Sequence, residues 1–284
     1  MTATETPYET ELPLSDGAVE AFRRDGAIAI RNLIDAQGVE TLRSAVDWSM
    51  ANPGDYALDF ASGAAGASFF GDVFVWTRNP DYAPVVVNER LGKVAGRLMG
   101  AQSVRFYFDH LLVKEPGSAA PTPWHQDAPY WPMSGRMCCS IWVALDPVSR
   151  QSGAVEYVRG SHAWGKSYAP ESFKGDDRLQ NETLEKLPDI DADRGAFDLL
   201  SWDLAPGDVA VHHCMTLHGA PANETAETRR RGLALRFIGE DIRYDERPGM
   251  PEPMTGYLSQ LAPELQIDDV YEGRWFPELW HANT

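Results

Sequence analysis

Hydrophobic positions in the first third of the chain recur with a helical period. Ser15-Asp16 reads as a helix start with Glu20 near the first turn, Val19, Phe22 and Ala27 give a rough apolar face, and Gly26 ends the segment. Ala27-Ile28-Ala29-Ile30 then reads as a short strand. A second helix is expected over about 36–50, with Val39, Leu42, Val46 and Trp48 as its apolar positions and Asn52-Pro53-Gly54 as its stop. A third is expected over 83–99, with Leu91, Val94, Leu98 and Met99 inward. Between them, 61–68 is rich in Gly and Ala and is followed by Phe69-Phe70 and Val73-Phe74-Val75-Trp76. That pattern suits a lid over a pocket or a surface loop tethered by core aromatics, and both readings stay open.

From Val104 the period shortens to that of strands. A long aromatic strand is expected over 104–114, then strands over 138–145, 154–158, 199–204, 209–214 and 233–238. Asp146-Pro147, Ser152-Gly153, Gly160-Ser161 and Pro206-Gly207-Asp208 are turn signals between them. Short strands at this spacing predict a sandwich, barrel or jelly roll. Residues 165–198 form an acidic insertion broken by Pro and Gly, long enough to suggest a functional loop. The tail, 245–284, is Pro-rich and carries Tyr257, Tyr271, Trp275, Phe276 and Trp280. Those aromatics must pack on the domain's own surface or on a partner subunit, so a homodimer is one reading of the tail.

At 284 residues and 43% hydrophobic content, the chain can bury a full core. Its formal net charge of -17 argues against nucleic acid or an anionic membrane as partner, since both need basic surface. It also disfavours a polyanionic substrate unless a local basic pocket overrides the global field. Cys138, Cys139 and Cys214 have no zinc-site spacing and read as small core residues in a reducing compartment. No signal peptide and no bilayer-length apolar run is expected, so a soluble cytoplasmic protein is the default.

Candidate chemistry centres on Trp124-His125-Gln126-Asp127-Ala128-Pro129-Tyr130-Trp131. In an extended strand, i and i+2 share a face, so His125 and Asp127 could grip one ion from one side. With His218 as third ligand, two histidines and a carboxylate would form the facial triad of non-haem Fe(II) oxygenases. Alone the His-x-Asp triplet is weak, because Asp is common in turns and N-caps. Pro116, Pro121, Pro123 and Pro129 rule out a long helix here, and flanking aromatics suit a partly buried site. His212 and His213 point to opposite faces of their strand, so at most one reaches a site. In Arg229-Arg230-Arg231-Gly232-Leu233-Ala234-Leu235-Arg236, alternation puts Arg230, Gly232, Ala234 and Arg236 on one face. Small Gly232 and Ala234 leave room there for something bulky, and an arginine fork pairs two-pronged with a carboxylate. Arg229 and Arg231 suit a solvated strand end.

These pieces together resemble the phytanoyl-CoA dioxygenase family of Fe(II)/2-oxoglutarate oxygenases. The resemblance runs from about Gly17 to Phe237. It rests on Phe22-Arg23-Arg24-Asp25-Gly26-Ala27-Ile28, Lys114-Glu115-Pro116-Gly117, His125-Gln126-Asp127, Ile141-Trp142-Val143-Ala144-Leu145-Asp146, Ser152-Gly153-Ala154-Val155, Arg159-Gly160-Ser161-His162, Pro206-Gly207-Asp208, His218-Gly219-Ala220 and Arg230. It implies a mainly β fold with flanking α-helices, a double-stranded β-helix (jelly roll, cupin-like), as a single domain over 1–284. Within it, 1–14 is a loose arm, 15–100 mostly helical, 103–240 the jelly-roll core and 241–284 the aromatic tail.

The resemblance implies catalytic and metal residues His125, Asp127 and His218, and Arg230 on the distal carboxylate of 2-oxoglutarate. Arg229 is the competing register; Arg230 is preferred because the family arginine is followed by any residue and then a small one. Trp142 and His110 occupy positions that border the co-substrate, and Lys114 shares His110's face near the rim. A serine that some members carry two residues after the distal histidine is here Ala220. Halogenating relatives replace the carboxylate with a small residue, and Asp127 argues against that outcome. The expected activity is a dioxygenase with Fe(II), 2-oxoglutarate and O2 that hydroxylates a C–H bond of a small organic substrate, releasing succinate and CO2. Alternatives are a metal-dependent hydrolase or isomerase on a cupin-like barrel and a non-catalytic binding protein. Phe108, Tyr130 and Trp131 suggest an apolar or aromatic substrate wall. Arg236 could meet a substrate carboxylate or serve as a structural ion-pair partner, the latter being slightly preferred.

Overall fold

The computed structural model describes residues 12–61, 67–170, 184–246 and 254–283, without the side chains of 254 and 255. Most of the expected arm (1–11), the middle of the Gly/Ala stretch (62–66), part of the long insertion (171–183) and the start of the tail (247–253) lie outside the described residues.

In chain order the elements are α1 (Asp16–Asp25), β1 (Ala27–Ile30), α2 (Ala36–Ala51), β2 (Leu58–Asp59), β3 (Phe69–Val73), α3 (Ala83–Val86), α4 (Glu89–Met99), β4 (Ser103–Lys114), β5 (Thr122–His125), β6 (Met133–Ser134), β7 (Cys138–Ala144), β8 (Glu156–Val158), β9 (Leu199–Leu200), β10 (Val209–His213), β11 (His218–Ala220), β12 (Arg230–Gly239), β13 (Arg243–Tyr244), α5 (Met254–Leu261) and β14 (Glu278–His281). The larger sheet runs β1-β10-β7-β12-β4-β3-β2, with β14 also on β4. A smaller sheet runs β5-β11-β8-β9, and β13 pairs with β6. All these pairings are antiparallel. Two such sheets backed by helices make a jelly roll, as the resemblance implied.

Alternation along the strands builds two different faces of the large sheet. Ile141 and Val143 of β7, Val209 and Val211 of β10, and Leu233 and Leu235 of β12 turn outward into a core with Phe22, Leu42, Val46, Leu91, Val94 and Leu98 of the helices. Their neighbours Trp142, Ala144, Ala210 and Ala234 pack instead with Tyr157 of the small sheet. Polar and charged side chains gather on the inner face, while the outer face is mostly apolar, with the buried Asp109 and Asp72 opposite Leu235 and Leu111 as exceptions.

Local chemistry fixes the helix ends. The Ser15 side chain accepts from Ala18 N at the start of α1, and Gly26 closes it at φ 78°. The expected helix over 83–99 is two helices, because the Asn88 side chain accepts from Leu91 N and starts α4 afresh. Trp48 is 37% exposed rather than core, lying under the Arg78 guanidinium 5.7 Å away. The strand expected over 199–204 shrinks to β9, and Leu204 forms an isolated bridge with Val148.

The tail packs on its own chain. Tyr271 and Phe276 are fully buried beside Tyr107, Tyr257 stacks on Phe74 at 4.1 Å, and β14 extends the sheet at β4. Trp280 sits directly over Gly96 of α4: a Cβ there would lie 2.3 Å from Trp280 Cζ3 and 3.1 Å from Val104 Cγ2. Two effects oppose each other in Gly96→Ala. Helix propensity gains about 1 kcal/mol, while overpacking costs about 1–3 kcal/mol. Because the clash meets a ring rather than a flexible chain end, destabilisation is expected. Urea unfolding should show a lower midpoint; a raised one would mean Trp280 is not seated on α4.

Candidate active site

His125 is the last residue of β5 and His218 the first of β11, and the two are direct cross-strand partners. Their rings lie 4.1 Å apart. Each Nδ1 meets a backbone carbonyl two residues back, Pro123 O at 2.8 Å and Thr216 O at 2.9 Å. A carbonyl only accepts, so each Nδ1 carries the proton and each Nε2 is left with a lone pair. Burial, with a neighbouring imidazole second, pushes both rings down to about 3, so both are neutral at working pH.

Asp127 reaches the pair by a different route from the expected strand. β5 ends at His125, and Asp127 has helical dihedrals (φ -71°, ψ -48°). The Cys214 carbonyl accepts from both Asp127 N and Ala128 N, which turns the chain out of the strand and starts a short 3-10 turn. The carboxylate still arrives beside the rings, with Oδ1 3.8 Å from His125 Nε2. One ligand atom from each of His125, Asp127 and His218 lies within 4.8 Å of the others. Three ligand atoms held at ~2.1 Å around one ion lie about 3–3.6 Å apart, so the three side chains would draw together on binding a shared ion.

The other carboxylate oxygen is occupied. Asp127 Oδ2 accepts from Ser140 Oγ at 2.8 Å and from His212 Nε2 at 3.1 Å. Burial alone would raise the Asp127 carboxyl, but the Arg236 charge and the His212 hydrogen bond outweigh it and hold the group well below the usual carboxylate range. Three donors thus address one carboxylate from three adjacent strands. His212 of β10 pairs with Ser140 of β7, and Ser140 pairs with Arg236 of β12. Ser140 was missed at the sequence level, although a serine two residues from Trp142 in an apolar strand is the kind of position that signals an inward polar role. His212 is the one histidine of its pair that reaches the site.

Successive rows of the same sheet face carry the remaining candidates. His110 of β4 pairs with Ala234, which pairs with Trp142. Burial and the Arg236 charge push His110 down to about 3, so it too is neutral. Trp142 occupies the space over Gly232, where a Cβ would lie 2.1 Å from Trp142 Cζ2. Part of the room expected above the small residues is therefore filled by the protein itself.

Arg230 ends the series. It is 1% exposed, stacks 5.5 Å from the Trp142 ring, and makes one long hydrogen bond, from Nη1 to Leu112 O at 3.4 Å. Its Nε has no partner, and among the described residues no carboxylate pairs with it. Burial lowers it only to about 10, so it remains charged. Its sequence neighbours are satisfied: Arg229 pairs with Glu115 and Arg231 with Asp146. Lys114 is the direct cross-strand partner of Arg230 and is fully buried, not at the rim. Its Nζ donates to Pro221 O at 2.7 Å and pins the turn after His218; burial and the Arg230 charge hold it well below the usual lysine value.

Phe108 and Trp131 are buried as expected near the cluster, but they flank the Arg236 guanidinium at 5.1 and 5.6 Å rather than forming a purely apolar wall. Gln126 faces away and ties down the start of the long insertion, donating to Lys166 O and Met215 O and accepting from Tyr168 N.

A family model described as phytanoyl-CoA dioxygenase (PhyH) matches residues 22–232. The multifunctional dioxygenase prhA of Penicillium brasilianum is 24% identical over 259 residues, spanning 84% of this chain and 77% of the relative. The non-heme alpha ketoglutarate dependent carbocyclase SnoK from nogalamycin biosynthesis superposes with a TM-score of 0.76 at 26% identity, over 94% of this chain and 97% of that one. EvdO2 from Micromonospora carbonacea var. aurantiaca, complexed with 2-oxoglutarate, gives 0.61 at 25% identity, over 85% and 96% of the two chains. The family match covers most of the chain, reaches strands of both sheets and includes every residue of the cluster except Arg236, and on that ground the chain belongs to the phytanoyl-CoA dioxygenase family.

Proposed function

We propose that this protein is an Fe(II)- and 2-oxoglutarate-dependent dioxygenase that hydroxylates a C–H bond of a small organic substrate. The reading rests on family membership and on one observation above all. A buried, charged Arg230, without a carboxylate partner among the described residues, faces the same interior as two neutral histidines and one ionised aspartate. A lone buried guanidinium is costly unless an anion joins it. A dicarboxylate that reaches from the histidine–aspartate cluster to Arg230 supplies that anion.

In this reading His125 Nε2, Asp127 Oδ1 and His218 Nε2 hold the iron. When bound, iron supplies the open positions at which 2-oxoglutarate and dioxygen are converted to succinate, carbon dioxide and an oxidised product. The protein's own contribution is geometric. The Pro123 and Thr216 carbonyls fix the imidazole tautomers. Ser140 and His212 engage Oδ2, which leaves Asp127 a single oxygen to offer. Arg230, backed by Trp142, holds the distal carboxylate in a two-pronged pair. Trp142 and the neutral His110 border the channel between the two ends.

Hydroxylation is the proposed outcome, whereas SnoK, on which this chain superposes, is a carbocyclase. Product analysis separates the two: hydroxylation adds one oxygen atom to the substrate, whereas ring closure adds none. The first experiment is an anaerobic titration of the Fe(II)-loaded protein with 2-oxoglutarate, watching for the weak visible charge-transfer band of a chelated keto acid. A metal-loaded protein that gives no band would remove 2-oxoglutarate from the reading and favour a hydrolase or isomerase.

Arg230→Ala should raise the 2-oxoglutarate requirement about tenfold to hundredfold, the scale of a lost charge-assisted pair. Asp127→Ala should lose iron and succinate formation together. Unchanged succinate release in both variants would sink the assignment. His212→Leu leaves Oδ2 to Ser140 alone, and Fe(II) affinity should fall about tenfold or more by metal titration; unaltered affinity would show that His212 does not orient the carboxylate.

A further inference from the structure

Arg236 is a second buried cation on this face, and beyond its charge acting on Asp127 the proposed function makes no use of its hydrogen-bond donors. It is 5% exposed, and Phe108 and Trp131 flank its guanidinium. Nη1 donates to Ala234 O at 2.9 Å, but Nε is buried without a partner. Its sole carboxylate neighbour among the described residues is Asp127, with Nη2 3.6 Å from Oδ1, too long for a hydrogen bond. Oδ1 is also the oxygen that faces the histidines. An ordinary structural ion pair would close this gap and satisfy the fork; this arginine does neither.

The charge count of the interior points the same way. On this face, with Lys114 set aside because burial and the Arg230 charge favour its neutral form, Arg230 and Arg236 against Asp127 leave one positive charge. A divalent ion raises it to three, and dianionic 2-oxoglutarate returns it to one. A surplus positive charge in a dry pocket is unfavourable unless a further anion enters. Arg230 and Arg236 lie six residues apart on one strand, about 20 Å at ~3.3 Å per residue. Arg236 therefore stands at the Asp127 end, away from the distal carboxylate held at Arg230.

We propose that Arg236 is the substrate's anchor, and that the substrate carries a carboxylate or an equivalent single negative charge bound at the guanidinium, beside the edge-to-face pair Phe108 and Trp131. This inference rests on the iron and 2-oxoglutarate reading of the same site. The bound carboxylate would accept from Nε and Nη2, the donors this structure leaves unused or underused.

The test uses the anaerobic protein loaded with Fe(II) and 2-oxoglutarate. Phenylacetate and acetate serve as probes and phenylacetamide as the uncharged control, with binding read by calorimetry and by perturbation of the visible band. Phenylacetate should bind at millimolar concentration and more tightly than acetate, and phenylacetamide should bind at least about tenfold more weakly than phenylacetate. Arg236→Met should remove acid binding while weakening 2-oxoglutarate far less than Arg230→Ala does; a larger loss for 2-oxoglutarate than for the acid overturns the proposal. If that variant fails to fold or retain iron, Arg236→Lys keeps the charge without the fork and should weaken acid binding without letting the amide in. Equal binding of acid and amide, binding of neither acid, or acid binding unchanged in the Arg236 variants overturns the proposal. A loss of 2-oxoglutarate affinity with acid binding intact also overturns it, by moving Arg236 to the keto-acid end. Absence of the band in the unsubstituted protein would instead be a failure of the iron and 2-oxoglutarate reading.

Discussion

The buried charge of Asp127 constrains everything around it. A carboxylate taken out of water costs several kcal/mol unless hydrogen bonds and opposite charge replace its hydration. This chain meets that cost from three neighbouring strands, with His212, Ser140 and Arg236 in one cross-strand row. Two of the three settle on Oδ2, and the third stands off from Oδ1. The arrangement keeps the group ionised and still leaves one oxygen turned toward the two histidines. Replacing hydration completely would have closed the site; replacing it on one oxygen makes a ligand.

Sheet register is what converts that local chemistry into a site. His125 and His218 meet because β5 and β11 pair at that position, and a one-residue slip would turn one ring away. The same rule runs along β12. Arg230, Gly232, Ala234 and Arg236 look inward, while Leu233 and Leu235 are buried against the helices. A slip there would expose leucines to the site and drive two arginines into the apolar core. Stability and function thus select the same register, so the outer hydrophobic core holds the inner polar face in place.

Much of this was legible in the sequence because it follows from period and caps. The Ser15 and Gly26 signals bound α1, and alternation put Arg230 and Arg236 on one face before any coordinates. His125 and Asp127 come together by a different route from the one their spacing suggests, since two hydrogen bonds to Cys214 O turn Asp127 out of the strand. That contact spans 87 positions in the sequence, and local pattern carries no trace of it. Ser140 was hidden for a related reason. A serine in a β-strand has no visible purpose until pairing sets His212 beside it and Asp127 above it. Lys114 looked like a rim residue because lysine is rarely buried whole; its acceptors are the carbonyls of a turn more than a hundred residues away.

The contrast between surface and interior bears on how ligands arrive. The chain carries a formal net charge of -17, yet its innermost face gathers Lys114, Arg230 and Arg236 around one ionised carboxylate. A negative exterior slows the approach of anions, and salt screens that effect over about 10 Å. A low-dielectric interior strengthens the pull on an anion once it has entered. Such a protein trades rate of capture for selectivity at the site, where only a ligand with its charges in the right places offsets the cost of the buried arginines. In the proposed reading the divalent ion belongs to the same balance: a negative exterior favours its approach, and Asp127 with two neutral imidazoles would offset the repulsion of the arginines. On that reading metal and anions would support one another, each reducing the electrostatic cost of the other, so their affinities would be coupled quantities rather than separate constants.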